Sequence, residues 1–155
     1  MNNMENLYRQ VIMDHYKNPR NKGLKQDPTY KTVHIKNPTC GDDITVQSKI
    51  EYGTIVDVKH DGTGCSICCS SASVMSETLK GKTKEEAMII TENYLNMLSN
   101  KDFDDTVDLE EAIVYTGVRK FPARIKCASI AWKAFEGTAQ ESECLIVSEQ
   151  KTQEM

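Results

Sequence analysis

The stretch Ile44-Thr45-Val46-Gln47-Ser48-Lys49-Ile50-Glu51-Tyr52-Gly53-Thr54-Ile55-Val56-Asp57-Val58-Lys59 decides the fold. Ile44, Val46, Ser48, Ile50 and Tyr52 fall on one face; Thr45, Gln47, Lys49 and Glu51 fall on the other. A period of two predicts a half-buried strand. Gly53 supplies a turn, and residues 54–59 predict its hairpin partner. Upstream, Thr32-Val33-His34-Ile35 is a third β-prone run. Three short sequential strands with tight connections predict an antiparallel meander.

Helical signals flank this core. In residues 4–17, Leu7, Val11 and His15 recur every four positions with Tyr8 and Ile12 beside them, one face of an amphipathic helix. Asn18-Pro19 ends it, because proline disfavours the helical conformation in the residue before it. Residues 70–80 predict a helix stopped by Gly81. Thr83 with Glu86 forms a capping box that opens a helix to about Leu98. Residues 101–108 are acidic and predict a solvated loop, and residues 109–115 a short helix. Pro122 suits the first turn of a last helix that runs to Glu136 and is closed by Gly137. Strands followed by helices predict an α+β fold, a small antiparallel three-stranded sheet packed by helices. Residues 1–137 make a single domain, and the polar composition of residues 138–155 suits a disordered tail.

Composition narrows the function. With 155 residues, 39% apolar and 27% charged, the chain suits one ordinary globular domain. Nineteen basic side chains against 23 acidic ones, a net charge of −4, argue against a nucleic-acid partner, which needs a basic face. No apolar run of about 18 residues spans a membrane. The start Met1-Asn2-Asn3-Met4-Glu5 lacks the pattern of a secretory signal, so a cytoplasmic location is expected. In that reducing compartment the six cysteines read as metal ligands or reactive thiols rather than disulfides.

Three of those cysteines stand in informative surroundings. In Asn37-Pro38-Thr39-Cys40-Gly41-Asp42, Gly41 lets the backbone turn so that Cys40 and Asp42 can face one point. In Gly62-Thr63-Gly64-Cys65-Ser66-Ile67-Cys68-Cys69, the first cysteine falls where a helix should begin, and a helix N-terminus favours thiolate. Cys127 lies in the opening turns of the last helix, beside Arg124 and Lys126. All three settings predict exposed, reactive thiolates. Three thiolates and one carboxylate suit a tetrahedral Zn²⁺ site. The intervening gaps of 24 and 61 residues exceed zinc-finger spacings, so spacing alone leaves a metal site and buried core cysteines both open.

The three segments Asn37–Asp42, Gly62-Thr63-Gly64-Cys65-Ser66-Ile67 and Pro122-Ala123-Arg124-Ile125-Lys126-Cys127-Ala128-Ser129-Ile130-Ala131-Trp132 resemble the iron–sulfur scaffold family of IscU/NifU N-terminal type. The resemblance covers nearly all of the chain, from Leu7 to Glu136, and includes His15-Tyr16-Lys17-Asn18-Pro19-Arg20. Two features point to the SufU branch. Lys126 stands where IscU-type proteins carry histidine before the third cysteine, and the 61-residue gap fits the extra sequence of SufU-type proteins.

The resemblance implies a SufE/NifU-like α+β scaffold with a metal site at one end. Its ligands carry over to Cys40, Asp42, Cys65 and Cys127, and Arg124 matches a basic residue near that site. Cys68, one helical turn from Cys65, is an alternative to Asp42 as fourth ligand. Cys68 and Cys69 depart from the residues usual in the family. The implied activity is zinc-dependent acceptance of sulfur, with Cys40 as acceptor, from the persulfide of a pyridoxal-phosphate (PLP) cysteine desulfurase of SufS type. The sulfur would pass to a downstream iron–sulfur assembly scaffold or to apo-proteins. Such a protein is a carrier and co-substrate of the desulfurase rather than a stand-alone enzyme. The alternative is a scaffold that assembles and transfers a [2Fe–2S] cluster on the same ligands. A third reading, from another class, is a thiol oxidoreductase using Cys65-x-x-Cys68, which needs a thioredoxin-like βαβ unit.

The remaining features read as structural. His15 is expected to pack or to face a partner, and His34 and His60 to lie on strand surfaces. Met75, Met88 and Met97 read as core, Trp132 and Phe135 as core anchors, and Cys144 as an inert thiol in the tail. Gly81-Lys82-Thr83 is no phosphate loop, because Ser76 stands where that motif needs glycine.

Overall fold

The computed structural model describes residues 3–38 and 41–140. Cys40 and Cys144 lie outside these described residues. Helix α1 spans Asn3–Lys17, followed by strands β1 (Lys31–Asn37), β2 (Asp42–Glu51) and β3 (Thr54–Thr63). Helices α2 (Ser66–Leu79) and α3 (Lys84–Leu98) come next. A 3₁₀ segment, Glu110–Lys120, leads into α4 (Pro122–Ala139). The sheet is antiparallel throughout, in the order β1-β2-β3. The α+β meander with packing helices is therefore as the sequence predicts.

The hairpin pairs Glu51 with Thr54, and the register shifts between Lys49 and Ile50. Tyr52 is not on the buried face of β2. It is a turn residue with φ +52° and a fully exposed ring. The alternation holds only as far as the bulge, because an extra residue re-aims the side chains beyond it. Ile44, Val46 and Ser48 remain buried.

Helix α2 is the axis of the molecule. Ser70, Ser71, Ser73 and Ser76 are all buried on it, and each hydroxyl has a partner, as buried hydroxyls require. Ser71 donates to the carbonyl of Ala128 (2.8 Å) and accepts from Trp132 Nε1 (3.0 Å), which fixes α2 against α4. The Tyr94 ring stacks on Trp132 at 4.1 Å and meets Tyr115 edge-on at 6.3 Å. Trp132, Phe135, Met75 and Met97 are completely buried, as anchors and core filler should be.

Several element ends differ from the sequence reading. Strand β2 starts at Asp42, and β3 continues past Lys59 to Thr63. Helix α2 begins four residues earlier than expected, directly after Cys65. The short helix expected at 109–115 is a longer 3₁₀ segment. Helix α4 does not stop at Gly137 but runs to Ala139. Gly137 serves close packing there, since a Cβ would stand 3.0 Å from Val33 Cγ2. Thr138 and Ala139 are buried, and Thr138 Oγ1 accepts from Ser48 at 2.8 Å, so both residues belong to the packed fold rather than to the tail. The capping box is present: Thr83 Oγ1 accepts from the Glu86 N–H at 3.1 Å, and Glu86 accepts from the Thr83 N–H at 3.0 Å.

Candidate metal centre

Three chain segments converge at one end of the sheet. Asp42 opens β2 and is completely buried. The end of β3 crosses close to it. Gly62 has φ +142°, and a Cβ there would lie 1.9 Å from the carbonyl oxygen of Asp43. Only glycine lets the strand leave the sheet on this path. At Gly64 a Cβ would stand 2.6 Å from Asp42 Oδ1 and 3.1 Å from Cys68 Sγ. This glycine leaves the space that the carboxylate occupies.

Cys65 is the N-cap of α2, and its N–H donates to Asp42 Oδ1 at 3.3 Å. From the other side α4 delivers Cys127 in its second turn. A carboxylate oxygen of Asp42 and the Sγ atoms of Cys65 and Cys127 all lie within 4.8 Å of one another. Cys65 is partly exposed, whereas Cys127 is buried, which corrects the expectation that every one of these thiols is open to solvent. The neighbouring cations do not keep Cys127 at the surface, because α4 turns that face onto α2. Burial, with Asp42 and Cys65 beside it, pushes the Cys127 thiol well above its ordinary value.

The donor set fits a metal. Asp42 Oδ2 is buried without a hydrogen-bond partner among the described residues. Such an oxygen costs free energy unless a donor or cation meets it. Two cysteine sulfurs and one carboxylate are ligands of the kind zinc takes. A thiol forced to remain protonated by burial is also one that a cation can convert to thiolate.

Cys68 is completely buried on α2 and outside this three-residue cluster; burial also pushes its thiol well up. Cys69 is part-buried, and its thiol donates to the Gly64 carbonyl at 3.6 Å. Arg124 is exposed one turn before Cys127. His60 is not a surface residue: it is buried and donates through Nε2 to the Arg20 carbonyl at 2.8 Å. His34, part-exposed, pairs with Asp43. His15 is packed and buried, between Ser73 and Glu111. The all-antiparallel sheet has no βαβ unit for a thioredoxin-like site among the described residues.

The NifU-like N terminal domain family matches residues 7–128. The chain belongs to this family. It is 49% identical over 140 residues to a zinc-dependent sulfurtransferase SufU of Bacillus subtilis, covering 90% of this chain and 94% of that one. It is 35% identical over 142 residues to an iron–sulfur cluster assembly scaffold protein IscU of Streptococcus pyogenes, covering 92% and 88%. Among solved structures, one from Fervidobacterium islandicum is assigned as an iron–sulfur cluster assembly scaffold for the SUF system. It superposes with a TM-score of 0.76 at 36% identity, covering 84% of this chain and 95% of that one. The family resemblance and the fold it implied are thus both confirmed.

The role of Gly64 escaped the sequence reading, although the Gly-x-Gly before Cys65 was a signal that backbone runs close to something there. A second cluster, His15, Glu77 and Glu111, had no such signal, because its members come from α1, α2 and the 3₁₀ segment.

Proposed function

We propose that this NifU-family chain is a zinc-holding sulfur acceptor for iron–sulfur cluster assembly, loaded by a PLP-dependent cysteine desulfurase. The observation that carries the reading is the convergence of Asp42, Cys65 and Cys127, with a buried carboxylate oxygen left unpartnered. The 49% identity to a SufU named as a zinc-dependent sulfurtransferase supports it.

Asp42, Cys65 and Cys127 would hold zinc together with Cys40, which stands two residues before Asp42 in the chain. Zinc bound there would keep the thiols ionised and add to folding free energy. The chain's own groups shape the rest. Gly64 seats the Asp42 carboxylate, and the Cys65 N–H orients it. Cys40 is the acceptor. Its thiolate attacks the outer sulfur of the donor's persulfide; a new S–S bond forms on Cys40 as the donor's S–S bond breaks, and the donor cysteine leaves as thiolate. No outside oxidant is needed. Arg124, exposed beside the opening of α4, supplies positive charge toward the arriving persulfide. The sulfur then passes to a downstream assembly scaffold or apo-protein.

The test is stimulation of a cysteine desulfurase by the zinc-loaded protein, before and after chelation and in Cys40→Ser. Stimulation lost on stripping, restored by zinc and absent in Cys40→Ser supports the proposal. Full stimulation by Cys40→Ser contradicts the acceptor assignment. A second reading, assembly and transfer of a [2Fe–2S] cluster as cargo, is favoured by the 35% identity to an IscU scaffold. Lys126, in place of the histidine of IscU-type proteins, weighs against it. Anaerobic reconstitution followed by transfer to an apo-ferredoxin separates the two.

A further inference from the structure

Cys68 is a thiol that sulfur acceptance leaves unused. It stands outside the cluster of Asp42, Cys65 and Cys127 and is completely buried. It nevertheless borders that cluster. A Cβ on Gly64 would stand 3.1 Å from Cys68 Sγ and 2.6 Å from Asp42 Oδ1, so the thiol and the carboxylate flank one gap, next in the chain to Cys65. Cys65 itself is part-exposed.

We infer that Cys65 and Cys68 form an oxidation site, which a peroxide closes into a disulfide that takes Cys65 out of the metal centre. The inference rests on the zinc-holding reading above. Position on α2 is the first support. Cys65 is the N-cap and Cys68 the third helical residue. At those two positions the side chains reach toward each other's residue, as those of Thr83 and Glu86 do at the start of α3. Cys65 makes no side-chain cap bond, so its sulfur is not tied to the helix backbone. Cα atoms three residues apart on a helix are about 5 Å apart, within the ~4.4–6.8 Å that a disulfide bridges.

Unequal access is the second support. A peroxide meets the part-exposed Cys65 and does not meet the buried Cys68. Oxidation-sensing thiols are of this kind, one accessible sulfur beside a second that resolves it. The third support is availability. With zinc bound, Cys127 is occupied as a ligand, and the Cys69 thiol donates to the Gly64 carbonyl at 3.6 Å. Cys68 is the neighbouring thiol that the metal does not hold.

The step balances. The Cys65 sulfur takes one oxygen of the peroxide and becomes a sulfenic acid, and the other peroxide oxygen leaves as water. The Cys68 sulfur then attacks the Cys65 sulfur. The S–S bond forms, the S–O bond breaks, and the hydroxyl departs with the Cys68 proton as a second water. The two thiols lose an electron pair and the peroxide gains it. A small thiol reverses the change by exchange.

The experiment treats the zinc-loaded full chain with hydrogen peroxide and follows released zinc with a chromogenic chelator. Remaining thiols are then alkylated and disulfides mapped by mass spectrometry. The expected result is loss of about one zinc per chain. The peptide carrying Cys65, Cys68 and Cys69 should hold an internal disulfide, with Cys69 alone alkylated, and dithiothreitol followed by zinc should restore the starting state. Cys69→Ser should leave that bond in place. Cys68→Ala should abolish it, and its Cys65 should go on to a sulfinic acid that dithiothreitol does not reverse. Circular dichroism checks that this variant is folded, and mapping of the unsubstituted chain decides the matter without it. Cys65 joined to Cys69 or to Cys127, or zinc released while Cys68 is still alkylated, overturns the inference. The same mapping on metal-stripped chain separates the two readings. A bond between Cys65 and Cys68 there supports the oxidation site, whereas a chain that took up no zinc at the outset contradicts the zinc-holding reading alone.

Discussion

The N–H of Cys65 donates to Oδ1 of Asp42 at 3.3 Å, while the other carboxylate oxygen is buried with no hydrogen-bond partner among the described residues. The helix that presents the thiol therefore also orients the carboxylate, and it leaves one oxygen for something the polypeptide does not supply.

Replacing Asp42 by asparagine tests that relationship. Without metal, the variant no longer buries an unpartnered carboxylate oxygen and should be more stable than the parent by about 1–3 kcal/mol. With zinc the order should reverse, because a ligand has been weakened. Thermal unfolding of both proteins, stripped and zinc-loaded, shows whether the two curves cross.

Gly64→Ala should damage the same centre by crowding. The new Cβ would meet Asp42 Oδ1 at 2.6 Å, so the carboxylate must move, at a cost of about 1–3 kcal/mol. Gly117→Ala is the matched control, since nothing lies within 4 Å of its added Cβ. Zinc content and denaturant midpoints should fall for the first variant and hold for the second.

Cys68 separates burial from ligation. Cys68→Ala should keep zinc and lose about 1 kcal/mol of stability through the small cavity left on α2. Cys65→Ala should lose zinc. Retention of zinc by Cys65→Ala together with its loss in Cys68→Ala would move the ligand assignment to Cys68.

Metal binding should release protons. The Cys127 thiol is held protonated at neutral pH by burial and by Asp42 and Cys65. Zinc must therefore displace at least about one proton per chain from this residue. Adding zinc to stripped protein in weak buffer, followed with an indicator dye, measures the release, and it should be smaller in Cys127→Ala.

His60 gives a pH dependence of the opposite kind to an ion pair. Burial lowers its pKa below the ordinary 6.5, so the folded protein keeps it neutral. Above pH 6.5 it is neutral folded and unfolded, and contributes no slope. As pH falls below that value the unfolded chain takes up a proton that the folded one refuses. Stability is then lost, by at most about 1.4 kcal/mol per pH unit, until the folded pKa is reached. His60→Gln should have a shallower acid slope than the parent between pH 6.5 and 5.

Much of this was legible in the sequence, for local reasons. The alternation from Ile44 and the box from Thr83 to Glu86 depend on near neighbours, and both are present. Gly137 misled because the same residue type serves helix ends and close helix–strand contacts, and only Val33 across the interface distinguishes them. His60 was read as exposed because nothing nearby shows that residues 20–22 lie over β3. Charge around Cys127 was read correctly and its burial was not, since burial depends on how α4 is rotated against α2. The cluster of His15 with Glu111, 96 positions away, was invisible for the same reason.

The most direct measurement is the mass of the Cys40-containing peptide after the zinc-loaded protein has met a cysteine desulfurase and cysteine, with free thiols trapped by alkylation. A gain of one sulfur atom on Cys40, with none on Cys68 or Cys69, is the expected result. Sulfur on another cysteine while Cys40 remains an ordinary thiol, or no sulfur on the protein despite an active desulfurase, would contradict it.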